Sequence, residues 1–157
     1  ADGSARVKIG NTDVLCGIKM EPLKPYPDSP DEGTISVMTE LLALASPDFE
    51  AGPPSEESIE LARVVDRALR EGKVVDFKTL CIKEGELVWT VFVDLYVLNH
   101  DGNLFDACSI AGLVSLTEAR IPKLEDNKVI RGEYAKKLKL NSNRLLNTFV
   151  KAPNAIV

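Results

Sequence analysis

Two stretches of this 157-residue chain carry residue types at spacings that could do chemistry. The first is VLNHDGNLFDACSIAG, Val97 to Gly112, in which an apolar strand gives way to an Asp-Gly-Asn turn and then to a helix. A helix N-terminus reached over a glycine turn presents free backbone N–H groups, the usual cradle for a phosphate. Here, however, the positions that enter the helix are Leu104, Phe105 and Asp106, not small or basic residues. The second stretch is SEESIELARVVDRALREG, where Arg63, Arg67 and Arg70 fall at i, i+4 and i+7 and share a helical face. Three guanidinium groups in such a row can grip successive phosphates of a strand. They can equally pair with Glu60, Asp66 and Glu71 in an ordinary solvated face, and spacing alone favours that account.

Other chemistries are poorly supported. Asp94 lies mid-strand among apolar residues, where burial could perturb it, but a structural carboxylate satisfied by backbone or arginine is the simpler expectation. The one histidine, His100, sits between Asn99 and Asp101 at a turn and is expected to be solvated. It cannot build a multi-histidine metal site or serve a distant serine, so no catalytic residue, no metal and no cofactor is expected. Cys16, Cys81 and Cys108 are scattered without a C-x-x-C pair, as buried thiols of a reducing compartment would be. No Walker-type or dinucleotide-type glycine loop occurs.

The elements that must position these residues are set by periodicity and turn chemistry. SARVKIGNTDVLCGIKM is expected to form two strands about a Gly10-Asn11 turn, with Val7, Ile9, Val14 and Ile18 inward. EPLKPYPDSPDEG concentrates proline and acid and should be an exposed connection, followed by a strand in TISVMTELLALA. Ser55 is placed to cap the arginine-bearing helix, with Glu56 and Glu57 in its first turn and Gly72 at its stop. Ile59, Ala62, Val65 and Leu69 are its expected core face. LVWTVFVDLYVLN is apolar on both faces, as suits a central strand covered by helices or by a partner. A second helix, rich in small residues, should span Leu104 to Glu118. After Ile121 the signal falls to short strand-like pieces, NKVIRGEY and LLNTFV. The expected class is a layered α+β or α/β domain.

Length fits one domain, and 45% hydrophobic with 27% charged residues is ordinary globular composition. A net charge of −5 disfavours a polycation that coats nucleic acid indiscriminately, yet leaves room for a local basic stripe. No apolar run reaches the length of a membrane span and no signal peptide is evident, so a cytoplasmic protein with no membrane partner is expected. The chain opens on Ala1-Asp2-Gly3 without methionine and closes on NAIV, so both ends look cut.

SPDFEAGPPSEESIELARVVDRALRE followed by LVWTVFVDLYVLNHDGNLFDA closely resembles the RNase PH-like ring subunits of RNA exosomes, and within them the non-catalytic subunit of the archaeal ring. GSARVKIGNTDVLCGIKMEP, PYPDSPDEG and ARIPK match in the same order, so the likeness runs from about residue 3 to residue 123. Residues 1–157 are then expected to be a single RNase PH-like domain truncated at both ends, with 124–157 the start of a poorly matched second half. The implied fold is α+β, a mixed β-sheet with helices packed on it, here incomplete.

In catalytic members the same strand leads into Asp-Gly-Gly-Thr-Arg-Thr, which binds the attacking phosphate. In this chain Asp101 and Gly102 keep their places, while Asn103, Leu104, Phe105 and Asp106 replace the rest. Gly102 to Asp106 is therefore expected to be a degenerate phosphate loop. A hydroxyl and a guanidinium are missing, and a carboxylate enters whose repulsion at ~4 Å and an effective dielectric of ~20 is about 4 kcal/mol. The resemblance also turns Arg63 and Arg67 toward RNA, and leaves Arg70 unassigned. It implies a non-catalytic, RNA-binding structural subunit that supports a catalytic RNase PH-like partner. Three copies of each would alternate in a hexameric ring, with RNA-binding cap subunits, degrading single-stranded RNA 3′ to 5′ by phosphorolysis. The rival readings are a phosphate-dependent exoribonuclease or nucleotidyltransferase in its own right, and a scaffold without RNA contact.

Overall fold

The computed structural model describes residues 1–141. The expected LLNTFV strand and the apolar NAIV end lie outside the described residues. Two strands, β1 (Gly3–Ile9) and β2 (Thr12–Leu23), form an antiparallel hairpin about Gly10-Asn11 with Val7 opposite Val14. Val14 and Ile18 are wholly buried, and Val7 and Ile9 pack at the margin of the core, as their alternation requires. β2 runs further than expected, through Pro22 to Leu23. β1 pairs only as far as Ile18, so β2 there has a neighbour on one side, the position where a strand tolerates proline.

After the acidic connection come β3 (Thr34–Leu41), α1 (Glu56–Glu71), a short 3-10 turn (Phe77–Leu80), β4 (Cys81–Lys83) and β5 (Leu87–Asn99). β5 pairs antiparallel with β2 and parallel with β3, giving a mixed sheet in the order β1-β2-β5-β3, with β4 against the start of β5. α2 (Leu104–Glu118) begins where expected, and a separate two-stranded sheet, β6 (Arg120–Glu125) with β7 (Lys128–Lys137), closes the described chain.

Both helices cover the same face of the sheet. Val91, Val93, Leu95 and Val97 of β5 are buried beneath them with Ile18, Met20 and Ile35. The opposite face leaves Leu15 and Tyr96 exposed and Phe92 and Asp94 half-buried, so helices shield β5 on one side only. The small residues of α2 do what their size permits: Ala107, Cys108 and Ala111 lie at the sheet with no exposure, and Gly112 brings α2 against Leu69 and Val65 of α1. Burial pushes the Cys16 thiol up to about 11 and the Cys108 thiol up to about 12, which makes both inert at neutral pH.

The core stripe of α1 is offset from the expected one. Ser58, Leu61, Val65, Ala68 and Leu69 are buried, whereas Ile59 is 50% exposed and Ala62 only partly covered. The polar residue Ser58 belongs to the stripe because its hydroxyl donates to the Thr39 carbonyl, while the Thr39 hydroxyl donates to the Ser58 carbonyl. That reciprocal pair fixes the first turn of α1 on β3. Ser55 caps the helix as expected, accepting from the Ser58 amide. At the other end Gly72 keeps helical dihedrals, and Lys73 takes the left-handed conformation with φ 51°. The Val74 amide reaches back to the Leu69 carbonyl, closing the end one residue later than the glycine implied.

The tightest backbone approach is at Gly33, just before β3. A Cβ there would stand 2.5 Å from the Leu80 Cβ and 2.5 Å from the Trp89 carbonyl oxygen. Neither atom belongs to a flexible side-chain end. Gly33→Ala is therefore expected to cost about 1–3 kcal/mol of stability through overpacking, read as a lower urea midpoint at unchanged slope.

Candidate nucleic-acid interface

The Val97–Gly112 turn is held from below by one hydroxyl. Thr12, wholly buried at the start of β2, donates from its Oγ1 to the Gly102 carbonyl at 2.6 Å and accepts from the Asp101 amide at 3.0 Å. Gly102 and Asn103 are both left-handed, with φ of 83° and 56°, so the chain swings into α2 through two consecutive residues of positive φ. Asn103 occupies the cap position without a capping side-chain bond.

The first turn of α2 is not a phosphate cradle with a repulsive mouth. Leu104 is buried, Phe105 packs against the core, and Asp106 is 2% exposed. The expectation that Asp106 offers its carboxylate to an arriving phosphate is therefore not how the chain places it. The turn offers a ligand neither a side-chain hydroxyl nor a guanidinium, since Leu104 and Phe105 are apolar groups folded toward the interior. Both Asp106 carboxylate oxygens lack a hydrogen-bond partner among the described residues, as does the buried Ser109 hydroxyl one helical turn on. The positive end of α2 is the one stabilising feature the placement offers that charge.

His100 departs from a solvated turn residue. Its ring stacks on Phe49 with centroids 5.4 Å apart, its amide donates to the Ala45 carbonyl, and its Nδ1 is buried without a partner among the described residues. It clips the 42–55 connection onto the end of β5. Asp94 is half-buried on the open face of the sheet, and burial raises its pKa against the lowering influence of Lys19. No backbone or arginine donor reaches it among the described residues, because its cross-strand neighbours are Gly17 and Met38; solvent satisfies it instead.

The three arginines of α1 separate into different roles. Arg70 is committed to the fold: its guanidinium donates to the Ile35 carbonyl of β3 at 2.6 Å and to Asp66 at 3.0 Å. Arg67 approaches Glu71 at 3.9 Å, with both side chains largely in solvent, so that pair contributes ~0–1 kcal/mol at most. Arg63 has no ion pair among the described residues. It stands over a groove of about 590 Å³ between α1 and β3, with Ile59, Tyr26, Met38 and Phe92 in its walls. β3 is the outer strand of the sheet beside that groove. The exposed Ile59 and the β3 wall are parts of the site that sequence reasoning misses, since Ile59 fits a core stripe equally well. Of the 101–106 turn only Asp101 lines a cleft, a different one shared with Lys8, Asn11 and Asp13, so the arginines and the turn do not converge on one pocket.

Asp13 in that second cleft is structural. Arg6 Nε and the Arg6 terminal nitrogen grip its carboxylate at 2.9 and 2.6 Å, and this bonding holds its pKa below the ordinary value. Asp106 has no such support, so removing its charge should not harm the protein. Asp106→Asn is expected to raise stability by about 1 kcal/mol, because the cost of a buried unpaired carboxylate exceeds the attraction of the helix end. A destabilisation of more than about 2 kcal/mol in urea unfolding would show instead that the carboxylate has a partner in solution.

Residues 1–122 match the model of the 3′ exoribonuclease family, domain 1. The exosome complex component Rrp42 of Methanothermobacter thermautotrophicus is 48% identical over 160 residues, covering 100% of this chain and 59% of that protein. Its counterpart in Archaeoglobus fulgidus is 57% identical over 122 residues, or 78% of this chain and 47% of that one. Among solved structures, a chain of the Archaeoglobus fulgidus exosome with RNA bound to the active site superposes with a TM-score of 0.77 at 56% identity, over 78% of this chain and 48% of its own. An archaeal exosome core gives 0.75 at 46% identity, over 90% and 51%. The chain thus spans about half the length of the relatives it matches. The mixed sheet under two helices, the glycine turn into α2 and the long match through residue 122 have one account: this chain belongs to the RNase PH family of 3′ exoribonuclease domains.

Proposed function

We propose that the chain serves as a non-catalytic, RNA-binding structural subunit of an archaeal exosome ring that degrades RNA 3′ to 5′ by phosphorolysis. The observation that carries this reading is the fate of the turn after β5. Leu104, Phe105 and Asp106 fold into the interior at the positions where the phosphate-binding hydroxyl and guanidinium of catalytic members would stand. A turn with only backbone amides left can hold an anion weakly, but it has no cation to neutralise the charge of an attacking phosphate. The chemistry then belongs to a catalytic RNase PH-like partner. Three copies of each subunit would alternate in a hexamer, with RNA-binding cap subunits, in the cytoplasm. The relatives' names, all exosome components, support the assembly class.

The RNA contact is assigned to α1. Arg63 is unpaired among the described residues and Arg67 is loosely paired, so both are available to phosphate at little cost, whereas Arg70 is spent on β3 and Asp66. Phosphate contact carries charge and no base identity, so binding should be indifferent to sequence.

Two measurements test the proposal. Incubated with phosphate and single-stranded RNA, the chain alone should release no nucleoside diphosphate above a no-protein control; robust release would return the catalytic reading. In rings reconstituted with the catalytic partner and verified by mass, Arg63→Glu with Arg67→Glu should weaken RNA binding. The salt dependence should flatten by about 0.7 units of slope for each phosphate deprived of its arginine. Superimposed salt series for wild-type and variant rings would leave this subunit a scaffold alone.

A further inference from the structure

Charge is distributed very unevenly along this chain. Residues 120–139 hold seven lysines and arginines against three acids, in a protein whose totals are 19 and 24. Nearly all of this segment is the β6–β7 hairpin, which forms its own sheet apart from the main one. Its base is anchored to the body. Leu138 is buried, its amide donates to the Ala119 carbonyl, and Leu140 bridges to Val75. The Arg120 amide donates to the Asp2 carbonyl. The hairpin is therefore held in place by Ile121, Pro122, Leu124 and Val129 on its inner side, while its charged side chains face water.

Those side chains are not neutralised locally. Two of the hairpin's acids, Glu125 and Glu133, are both taken by Lys123. Arg120, Lys128, Arg131, Lys136, Lys137 and Lys139 are exposed, and none has an acid within ion-pair distance among the described residues. Arg120 and Lys137 stand directly opposite one another in the ladder. Like charges so placed destabilise a strand pair, and a bound anion removes that penalty. Amid these cations Tyr134 is 39% exposed, paired across the ladder with Pro122. An exposed aromatic among unpaired cations is the combination that holds single-stranded nucleic acid, with cations along the backbone and a base on the ring.

We propose that the β6–β7 hairpin is a second RNA-binding surface, distinct from α1, which takes single-stranded RNA by phosphate contacts from Arg120, Lys137 and their neighbours and by stacking of a base on Tyr134. It rests on the RNA reading above for its ligand, but not on Arg63 or Arg67. Lysines predominate in it, and as point charges they bind backbone without fixing sequence. An acidic polypeptide would satisfy the lysines and leave the tyrosine ring without a role.

The test is fluorescence anisotropy of a labelled mixed-sequence single-stranded RNA with the full 157-residue chain, over a salt series, with circular dichroism to confirm the fold of each variant. Arg120→Ala with Lys137→Ala should weaken binding and flatten the salt slope by about 1.4 units, the share of two phosphates. Tyr134→Ala should weaken binding about tenfold with the slope unchanged, since stacking carries no charge. Arg63→Glu with Arg67→Glu is measured in parallel. Weakened affinity in that variant, with hairpin variants superimposed on wild type, overturns the hairpin. Weakening in the hairpin variants alone supports the hairpin and counts against α1. A wild-type chain that binds no RNA, or that binds labelled polyglutamate as tightly as RNA with no effect of Tyr134→Ala, overturns the proposal in favour of a surface for something else.

Discussion

The arrangement of this protein depends on the register of one strand. β5 is an inner strand of the main sheet, antiparallel to β2 on one edge and parallel to β3 on the other. Val91, Val93, Leu95 and Val97 alternate on the face that the helices dry, and Phe92, Asp94 and Tyr96 on the face they leave open. Because side chains alternate with a period of two, a slip of one residue would exchange these sets and bury Asp94 under the helices. Near its end β5 carries one extra residue, Leu98, between the pairs Val14–Val97 and Asp13–Asn99, and the register shifts there. Just beyond it Thr12 of β2 holds the Asp101–Gly102 turn that leads from β5 into α2.

That dependence explains which features are legible in the residues. The two hairpin strands, the strand before α1, the central strand, and α2 from Leu104 to Glu118 can be read from period, caps and turns, because local chemistry and tertiary burial agree there. The arginine-bearing helix is legible at its start, where Ser55 caps it. Its buried face is not, because Ile59 and Ala62 keep helical spacing with Val65 and Leu69 just as well as the true stripe does. The deciding interaction is the Thr39–Ser58 pair, a polar contact between residues 19 apart that no periodicity displays. His100 escapes local reading for a related reason: a turn neighbourhood implies solvent, and stacking on Phe49 is set by a connection whose path is not local.

The site is legible in kind but not in placement. That the turn after β5 carries no hydroxyl or cationic side chain is visible in Asn103, Leu104, Phe105 and Asp106 themselves; where those side chains go is not. That Asp106 points inward is a packing result: the first turn of α2 sits on the sheet, so a few residues after a fixed Gly102 a side chain must face either core or neighbouring element. The carboxyl group at this helix end is thus withdrawn from solvent, and the turn acts as a joint between strand and helix.

The α1 arginines divide for an equally physical reason. Arg63, Arg67 and Arg70 look equivalent in sequence, and the distance of each from β3 makes them different. Near the helix end Arg70 reaches an edge carbonyl of β3 that needs a donor, and a charge-assisted bond to a partly buried carbonyl outweighs what the guanidinium gains from water. Arg63 has no such carbonyl, and the Ser58–Thr39 pair nearby already satisfies the strand edge. A sheet edge consumes donors until its own groups are met, and the cations it does not consume remain for a ligand. At the opposite end of the described chain Lys123 takes both nearby glutamates of the β6–β7 ladder, and the remaining cations face solvent with their charge unspent.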